Sequence, residues 1–494
     1  MPKLRPLMIA GTASDVGKSV ITSAFCRIFL QDGHHPAPFK AQNMSLNSFV
    51  TPDGLEIGRA QAVQAEAAGI PCQSDMNPLL LKPSSDTNCQ VILNGKPIGQ
   101  QTAQEYFRKE GRETLRKHVH DAFDRLAACY NPIVLEGAGS VSEINLRELD
   151  LVNLPMAIHA GADVILVADI DRGGVFASIY GSILLMTEEE RKYVKGILIN
   201  KFRGDLRLFE SGVKMLEELC HIPVLGVIPY FKDIFIEEED SLMLQNKNRQ
   251  SCSNKVNVAV VLLRHLSNFT DFNLLERDSR VHLYYSNDAH EIEKADIVLL
   301  PGSKNTISDL YELRRNGTAQ GIIRAHQAGA VIMGICGGYQ MMGHEVYDPS
   351  HIEGSIDRLP GLQLLPVYTE IHSEKITRQV EFTFLDLNVI CTGYEIHMGN
   401  TVPIQNAENQ PLNILTDGTK DGFYLNRKCF GTYIHGILDN SAVIDYLLES
   451  YDSKSTDRLL DINAYKEEQY NRLADHVRSH VNMALLYDLL TGSS

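Results

Sequence analysis

One short run constrains this chain more than any other: Gly-Thr-Ala-Ser-Asp-Val-Gly-Lys-Ser at residues 11–19. It follows the apolar residues 7–10. It precedes a stretch in which Val20, Ile21, Ala24, Phe25, Ile28 and Phe29 recur at helical spacing, with Gly33 as the stop. A strand, a tight loop and a helix N-terminus in that order turn backbone N–H groups inward. The helix end adds partial positive charge, and together they cradle phosphate. On this reading Thr12, Asp15, Val16, Gly17, Lys18 and Ser19 contact ATP, Lys18 bridges the outer phosphates and the Ser19 hydroxyl ligates Mg²⁺. The spacing is a variant, because Gly11 and Gly17 enclose five residues rather than four and Thr12 stands where the first glycine is usual.

The rest of the first half alternates apolar runs with helical ones. Residues 7–10, 37–40, 132–135, 164–169, 196–200 and 224–229 are rich in Val, Ile and Leu without polar alternation, the pattern of parallel strands covered on both faces. The pattern breaks at residues 237–256, where acidic and then polar residues carry no apolar period. A second series follows at 258–263, 297–300, 331–335 and 431–435. The chain has 494 residues, too many for one ordinary core. The expected fold class is therefore α/β, with two open, mainly parallel, doubly wound sheets. The expected division is 1–236 for the phosphate-loop unit, 237–256 for a linker, 257–450 for a second unit and 451–494 for a helical tail. In that tail Leu473, Val477, Val481 and Leu485 are spaced by four.

Ligands of open α/β sheets sit at the C-terminal ends of strands, so the residues there are candidates. Lys40 ends one strand, Glu136 another, Asp169 and Asp171 a third, and Asn200 with Lys201 a fourth. Glu136 is the expected partner of Ser19 on Mg²⁺, Lys40 is expected on phosphate or substrate, and Asn200 on the adenine edge.

The second unit contains Val-Ile-Met-Gly-Ile-Cys-Gly-Gly-Tyr-Gln at 331–340, an apolar run ending in Gly-x-Cys-x-Gly. A nucleophile on a sharp strand-to-helix turn needs small neighbours, and the helix end behind Cys336 favours its thiolate. His435 ends a later apolar run, and a cysteine with a distant histidine is the pair needed for acyl transfer from a glutamine side chain. Backbone N–H groups at Gly302, after the run 297–300, and at Gly337 are the expected oxyanion donors.

These motifs carry a resemblance. The phosphate loop is similar to the dethiobiotin-synthetase-like branch of P-loop proteins. Gly334-Ile-Cys-Gly-Gly with the late Tyr433-Ile-His resembles the class I glutamine amidotransferases. Most of that class carry a glutamate two residues after the histidine. Ile437 stands there instead, which resembles the corrinoid-amidating branch with its Cys–His dyad. What orients His435 is then open between a backbone carbonyl and Glu395. Pro38-Phe-Lys-Ala-Gln-Asn-Met-Ser, Glu56-Ile-Gly-Arg-Ala-Gln-Ala, Met76-Asn-Pro-Leu-Leu-Leu-Lys-Pro, Asp171-Arg-Gly-Gly, Ser267-Asn-Phe-Thr-Asp-Phe, Pro301-Gly-Ser-Lys-Asn-Thr and Gly393-Tyr-Glu-Ile-His-Met-Gly resemble the adenosylcobyric acid synthase family. The resemblance runs from about residue 7 to about residue 440. It implies ATP- and glutamine-dependent amidation of the b, d, e and g carboxylates of adenosylcobyrinic acid a,c-diamide, in cobalamin biosynthesis, with a corrinoid polycarboxylate as partner.

Rival readings are the sister enzyme that amidates the a and c positions, or another glutamine-dependent amide ligase, and a partitioning-type P-loop switch. Such switches commonly carry an early second lysine, where this chain has Thr12 and Ala13, and they lack a glutaminase half. A net charge of −16 argues against nucleic acid as the main partner. Nine cysteines without a Cys-x-x-Cys pair point to a reducing compartment and to no zinc site. No signal peptide and no bilayer-length apolar run are apparent, so the expected location is the cytoplasm. No feature specifies an oligomeric state.

Overall fold

A computed structural model describes residues 3–84, 88–106, 111–231, 233–237, 247–252, 254–405, 410–451 and 462–492. Half of the expected linker (238–246 and 253) and part of the expected tail (452–461, 493–494) lie outside the described residues.

The first unit is built on β1 (Leu7–Gly11), β2 (Ala37–Phe39), β3 (Ile133–Glu136), β4 (Asp163–Asp169), β5 (Val194–Phe202) and β6 (Val224–Pro229). They form a parallel six-stranded sheet in the order β6-β5-β4-β1-β3-β2. The central strands are buried along almost their whole length, which is why they read as unbroken apolar runs. Helix α1 (Lys18–Gln31) follows β1 and stops where Gly33 takes a left-handed φ of 83°. Between β2 and β3 the chain makes an excursion that the apolar pattern did not indicate. It holds a four-stranded sheet of Gln42–Met44, Leu79–Pro83, Asn88–Leu93 and Lys96–Thr102, a hairpin of Ser48–Val50 with Glu56–Gly58, and helix α2 (Arg59–Ala67).

The second unit has β7 (Val256–Val261), β8 (Val281–Ser286), β9 (Ile297–Leu300) and β10 (Val331–Ile335), with helix α3 (Gly337–Met342) after β10. Two long strands follow, β11 (Val367–Phe384) and β12 (Ile390–Pro403), paired antiparallel and forming the body of a second, seven-stranded sheet. β13 (Phe423–Asn426) and β14 (Cys429–Thr432) then complete the first sheet, ordered β8-β7-β9-β10-β14-β13, with only β13 antiparallel. The expected single run at 431–435 is thus split. Residues up to Thr432 stay in the parallel sheet, while Ile434–His435 crosses to pair with Tyr394 and Glu395 of β12.

The two units meet through the excursion of the first and the long hairpin of the second. Val50, Tyr394 and Ile396 share an apolar cluster, and Gln379 Nε2 donates to Val50 O at 2.8 Å.

The tail is helical but not one helix. α4 (Ile462–Arg478) and α5 (Met483–Thr491) are separated at Val481, which bridges to Gly226 of β6, while Asn482 N donates to Leu225 O at 2.7 Å. Both helices return to the phosphate-loop unit. Leu473, Val477, Leu486 and Leu490 share a core with Phe25 and Phe29 of α1, and Arg478 grips Asp32 at 2.9 and 3.0 Å.

Candidate active site

The phosphate loop lies at the C-terminal end of β1, between β3 and β4. Gly17 has φ 99°, and a Cβ there would come within 2.2 Å of Asn200 Nδ2, so only glycine fits. That close approach has a purpose, since Asn200 Nδ2 donates to Val16 O at 2.8 Å and braces the loop from β5. Thr12 is tied by its own N–H to Val167 O at 3.0 Å and accepts at its carbonyl from Ser140 Oγ at 2.8 Å. Lys201, next to Asn200, donates to Asp15 O and pairs with Asp169 at 3.0 Å. Asp171 pairs with Arg203 at 2.8 Å. Asn200 and Lys201 thus reach the loop, with Asp169 paired to Lys201, while Asp171 faces Arg203.

Lys18 Nζ donates to Ala13 O and Gly139 O, each at 2.9 Å, which folds it back over the loop. Burial pushes its pKa down to about 8, against the opposing pull of the Glu136 carboxylate. Glu136 is fully enclosed and is the hub. Its Oε1 accepts from Ser19 Oγ and from Lys40 Nζ, both at 2.8 Å, and its Oε2 accepts from Gln64 Nε2 of α2. Burial alone would raise its pKa, but the Lys40 ammonium and the three hydrogen bonds outweigh that and hold it below the usual carboxylate range. A hydroxyl beside an ionised carboxylate is a donor pair for a hard cation. No cluster of three or more His, Cys, Asp or Glu exists among the described residues, so such a cation would draw its other ligands from phosphate and water.

In the second unit Cys336 sits at φ 51°, ψ −111°, between the end of β10 and the start of α3. This is a strained conformation for a side chain larger than hydrogen, and it turns the thiol out of the strand. The following glycines are obligatory: a Cβ on Gly338 would fall 2.0 Å from Leu300 O. His435 is buried close to Cys336, whose Sγ lies 3.6 Å from Ile396 O of β12.

The residue that orients His435 is neither Glu395 nor a backbone carbonyl. It is Asp271, whose Oδ2 lies 2.7 Å from His435 Nδ1 and whose Oδ1 accepts from Gly436 N at 3.0 Å. Glu395, one strand over, is paired with Arg378 instead, and Ile437 is fully buried among apolar residues. With Nδ1 bonded to a carboxylate, Nε2 is left to face the sulfur. Burial works to lower the His435 pKa, but the Asp271 carboxylate and the Cys336 sulfur override it and push it up to about 10. Tyr394 stacks on the imidazole at a centroid distance of 5.4 Å. Residues 302–303 line the same spot. A Cβ on Gly302 would lie 3.0 Å from His435 Cε1, and one on Gly337 would lie 2.7 Å from Ser303 N. Gly302 thus packs against the His435 ring and Gly337 against Ser303.

Two residues of these centres had not been singled out, Asp271 and Gln64. The available signal for Asp271 was the polar set Ser267, Asn268, Thr270 and Asp271 packed between buried phenylalanines. Gln64 lay in Glu56-Ile-Gly-Arg-Ala-Gln-Ala and its continuation, where no chemistry marks it.

Comparison with known proteins agrees with this layout. Residues 7–243 match the CobQ/CobB/MinD/ParA nucleotide binding domain, and residues 257–443 match the CobB/CobQ-like glutamine amidotransferase domain. A cobyric acid synthase of Bacteroides fragilis is 70% identical over 488 residues, covering 99% of both chains. Proteins of the same name from Phocaeicola vulgatus and Parabacteroides distasonis are 67% and 59% identical, covering 99% and 98% of both chains.

Proposed function

The chain belongs to the cobyric acid synthase family, the glutamine-dependent amide ligases of cobalamin biosynthesis, and from that membership we propose how its residues divide the reaction. The enzyme uses ATP and glutamine to convert the b, d, e and g carboxylates of adenosylcobyrinic acid a,c-diamide to amides, giving adenosylcobyric acid. Residues 1–236 activate the carboxylate, 237–256 link, 257–450 release ammonia, and the tail 451–494 braces the first unit. We place the reaction in the cytoplasm.

At the glutaminase centre Cys336 attacks the glutamine side-chain carbonyl. His435, held by Asp271, takes the thiol proton and returns it to the departing ammonia. The N–H groups of Gly302 and Gly337 receive the charge that develops on the carbonyl oxygen. A thioester remains, and His435 then activates the water that hydrolyses it to glutamate.

At the nucleotide centre a corrinoid carboxylate, itself a poor electrophile, takes the γ-phosphoryl group of ATP to become an acyl phosphate. Ammonia displaces the phosphate and leaves the amide. Thr12, Asp15, Val16 and Gly17 shape the cradle, Lys18 and Lys40 neutralise phosphate charge, and Asn200, which braces the cradle through Val16, is the residue at the adenine edge. Ser19 and Glu136 are the residues that would hold Mg²⁺, which would supply neutralisation of phosphate charge.

The observation that carries the reading is the buried His435–Asp271 pair beside Cys336, in the same chain as a phosphate loop whose Ser19 bonds Glu136. Turnover with glutamine labelled at its amide with ¹⁵N tests it: four labelled nitrogens per corrinoid are expected. Unlabelled product, or a different number of amides, would refute it.

A further inference from the structure

The loop that carries Asp271 is not held by the glutaminase unit alone. Asn268, which opens the turn Phe269–Phe272, sits at a left-handed φ of 51° and is buried. Its Oδ1 accepts from Ser48 N of the first unit at 3.1 Å. In return Asn47 Oδ1 accepts from Phe269 N at 3.1 Å. The two asparagines thus exchange side-chain-to-backbone hydrogen bonds across the interface, two residues from the aspartate that aims His435.

The other face of Asn47 is anchored to the nucleotide centre. Its carbonyl accepts from Arg59 N at 3.1 Å, at the first turn of α2, the helix whose Gln64 donates to Glu136. Its own N–H donates to Ser45 Oγ at 2.9 Å, on the segment that begins at Lys40, the second cation on Glu136. Both connections run from the carboxylate beside Ser19 to the clasp. All groups in the chain of contacts are buried, where a lost hydrogen bond is not replaced by bulk water.

We propose that Asn47 is a positioning residue for the glutaminase centre: through its clasp with the Asn268–Phe269 backbone it holds the Asp271 loop, so that His435 is aligned only when the nucleotide unit is docked. This rests on the assignment of Cys336 and His435 as the glutaminase pair. The consequence is that a residue of the phosphate-loop unit governs ammonia release without touching glutamine, ATP or corrinoid.

The test uses the full-length enzyme and the rate at which the electrophilic glutamine analogue 6-diazo-5-oxo-L-norleucine alkylates Cys336, read by mass spectrometry. The alkylation readout needs neither corrinoid nor turnover, so a wrong substrate assignment leaves that readout intact. Asn47→Ala is expected to slow alkylation by about tenfold, the effect of one lost buried hydrogen bond, while ammonium-dependent amidation stays within about twofold of the parent. Asn268→Gly, which removes the reciprocal acceptor and suits the positive φ, should behave alike and serves if the first variant does not fold. Because Asn47 acts through Asp271, adding Asn47→Ala to Asp271→Asn should slow alkylation no further. Unchanged alkylation in both clasp variants, equal losses of alkylation and ammonium-dependent amidation, or additivity with Asp271→Asn would each overturn the proposal.

Discussion

Asp271 and His435 are 164 residues apart in the chain, yet Asp271 Oδ2 lies 2.7 Å from His435 Nδ1, and its second oxygen holds the backbone N–H of Gly436. The position two residues beyond the histidine is an isoleucine, and the carboxylate arrives instead from a turn in another part of the unit. With Cys336 and His435 as the proposed glutaminase pair, Asp271 takes the place of the triad's acid from another part of the chain.

Replacing that acid tests its part. Asp271→Asn is expected to lower kcat/KM for glutamine hydrolysis by about 10³–10⁴-fold, the range seen when the acid of a catalytic triad is neutralised. Ammonium-dependent amidation should persist. The sign of the pH effect follows from the carboxylate's role. It helps raise the His435 pKa to about 10, so its removal should move the alkaline limb of the residual hydrolysis profile to lower pH. An unmoved limb would show that Asp271 does not set the imidazole's charge.

Lys18 gives a second pH dependence. Its pKa is pushed down to about 8 by burial, so in the free enzyme it is largely charged at pH 7 and largely neutral at pH 9. Nucleotide binding needs the charged form and should weaken as pH rises through that value, by up to about tenfold per unit above it. Titration with a fluorescent ATP analogue from pH 7 to 9 measures this. Lys18→Met should bind weakly at every pH and lose the dependence. A parent enzyme with flat affinity across the range would contradict the placement of Lys18 on phosphate.

The tail should act on the stability of the first unit. Leu473 of α4 is fully buried in the core it shares with Phe25 and Phe29. Leu473→Ala is expected to destabilise that unit by about 2–5 kcal/mol, read from denaturant unfolding of the nucleotide-binding signal. Alkylation of Cys336 in the absence of denaturant should be unaffected. A change below about 0.5 kcal/mol would mean that the tail is dispensable for the core.

The parts of the site that were legible in the sequence are those whose chemistry is local. Gly17, Lys18 and Ser19 must be adjacent for a loop to cradle phosphate, and Cys336 needs its small neighbours within two residues, so both left compact motifs. The parallel strands were legible because burial on both faces removes polar residues. Asp271 was not, because its partner is set by tertiary contact, and an acidic residue in a short turn is ordinarily a cap. The excursion at residues 42–102 and the long pair β11 and β12 were missed because their faces are unequally buried and their polar residues are buried in pairs, Lys82 with Glu56 inside the excursion and Lys375 with Glu56 across the domain interface. The break between α4 and α5 has no glycine or proline to announce it; Val481 leaves the helix to bridge β6.

The decisive experiment gives purified Cys336→Ala enzyme ATP, Mg²⁺ and adenosylcobyrinic acid a,c-diamide, with glutamine or ammonium as the nitrogen source, and follows the corrinoid by mass spectrometry. Four successive carboxyl-to-amide changes are expected with ammonium. With glutamine the rate should fall by about 10³-fold or more from that of the parent. Glutamine-dependent product at the parent rate would contradict Cys336 as the source of ammonia, and no product with ammonium from an enzyme that still hydrolyses ATP would contradict the corrinoid assignment.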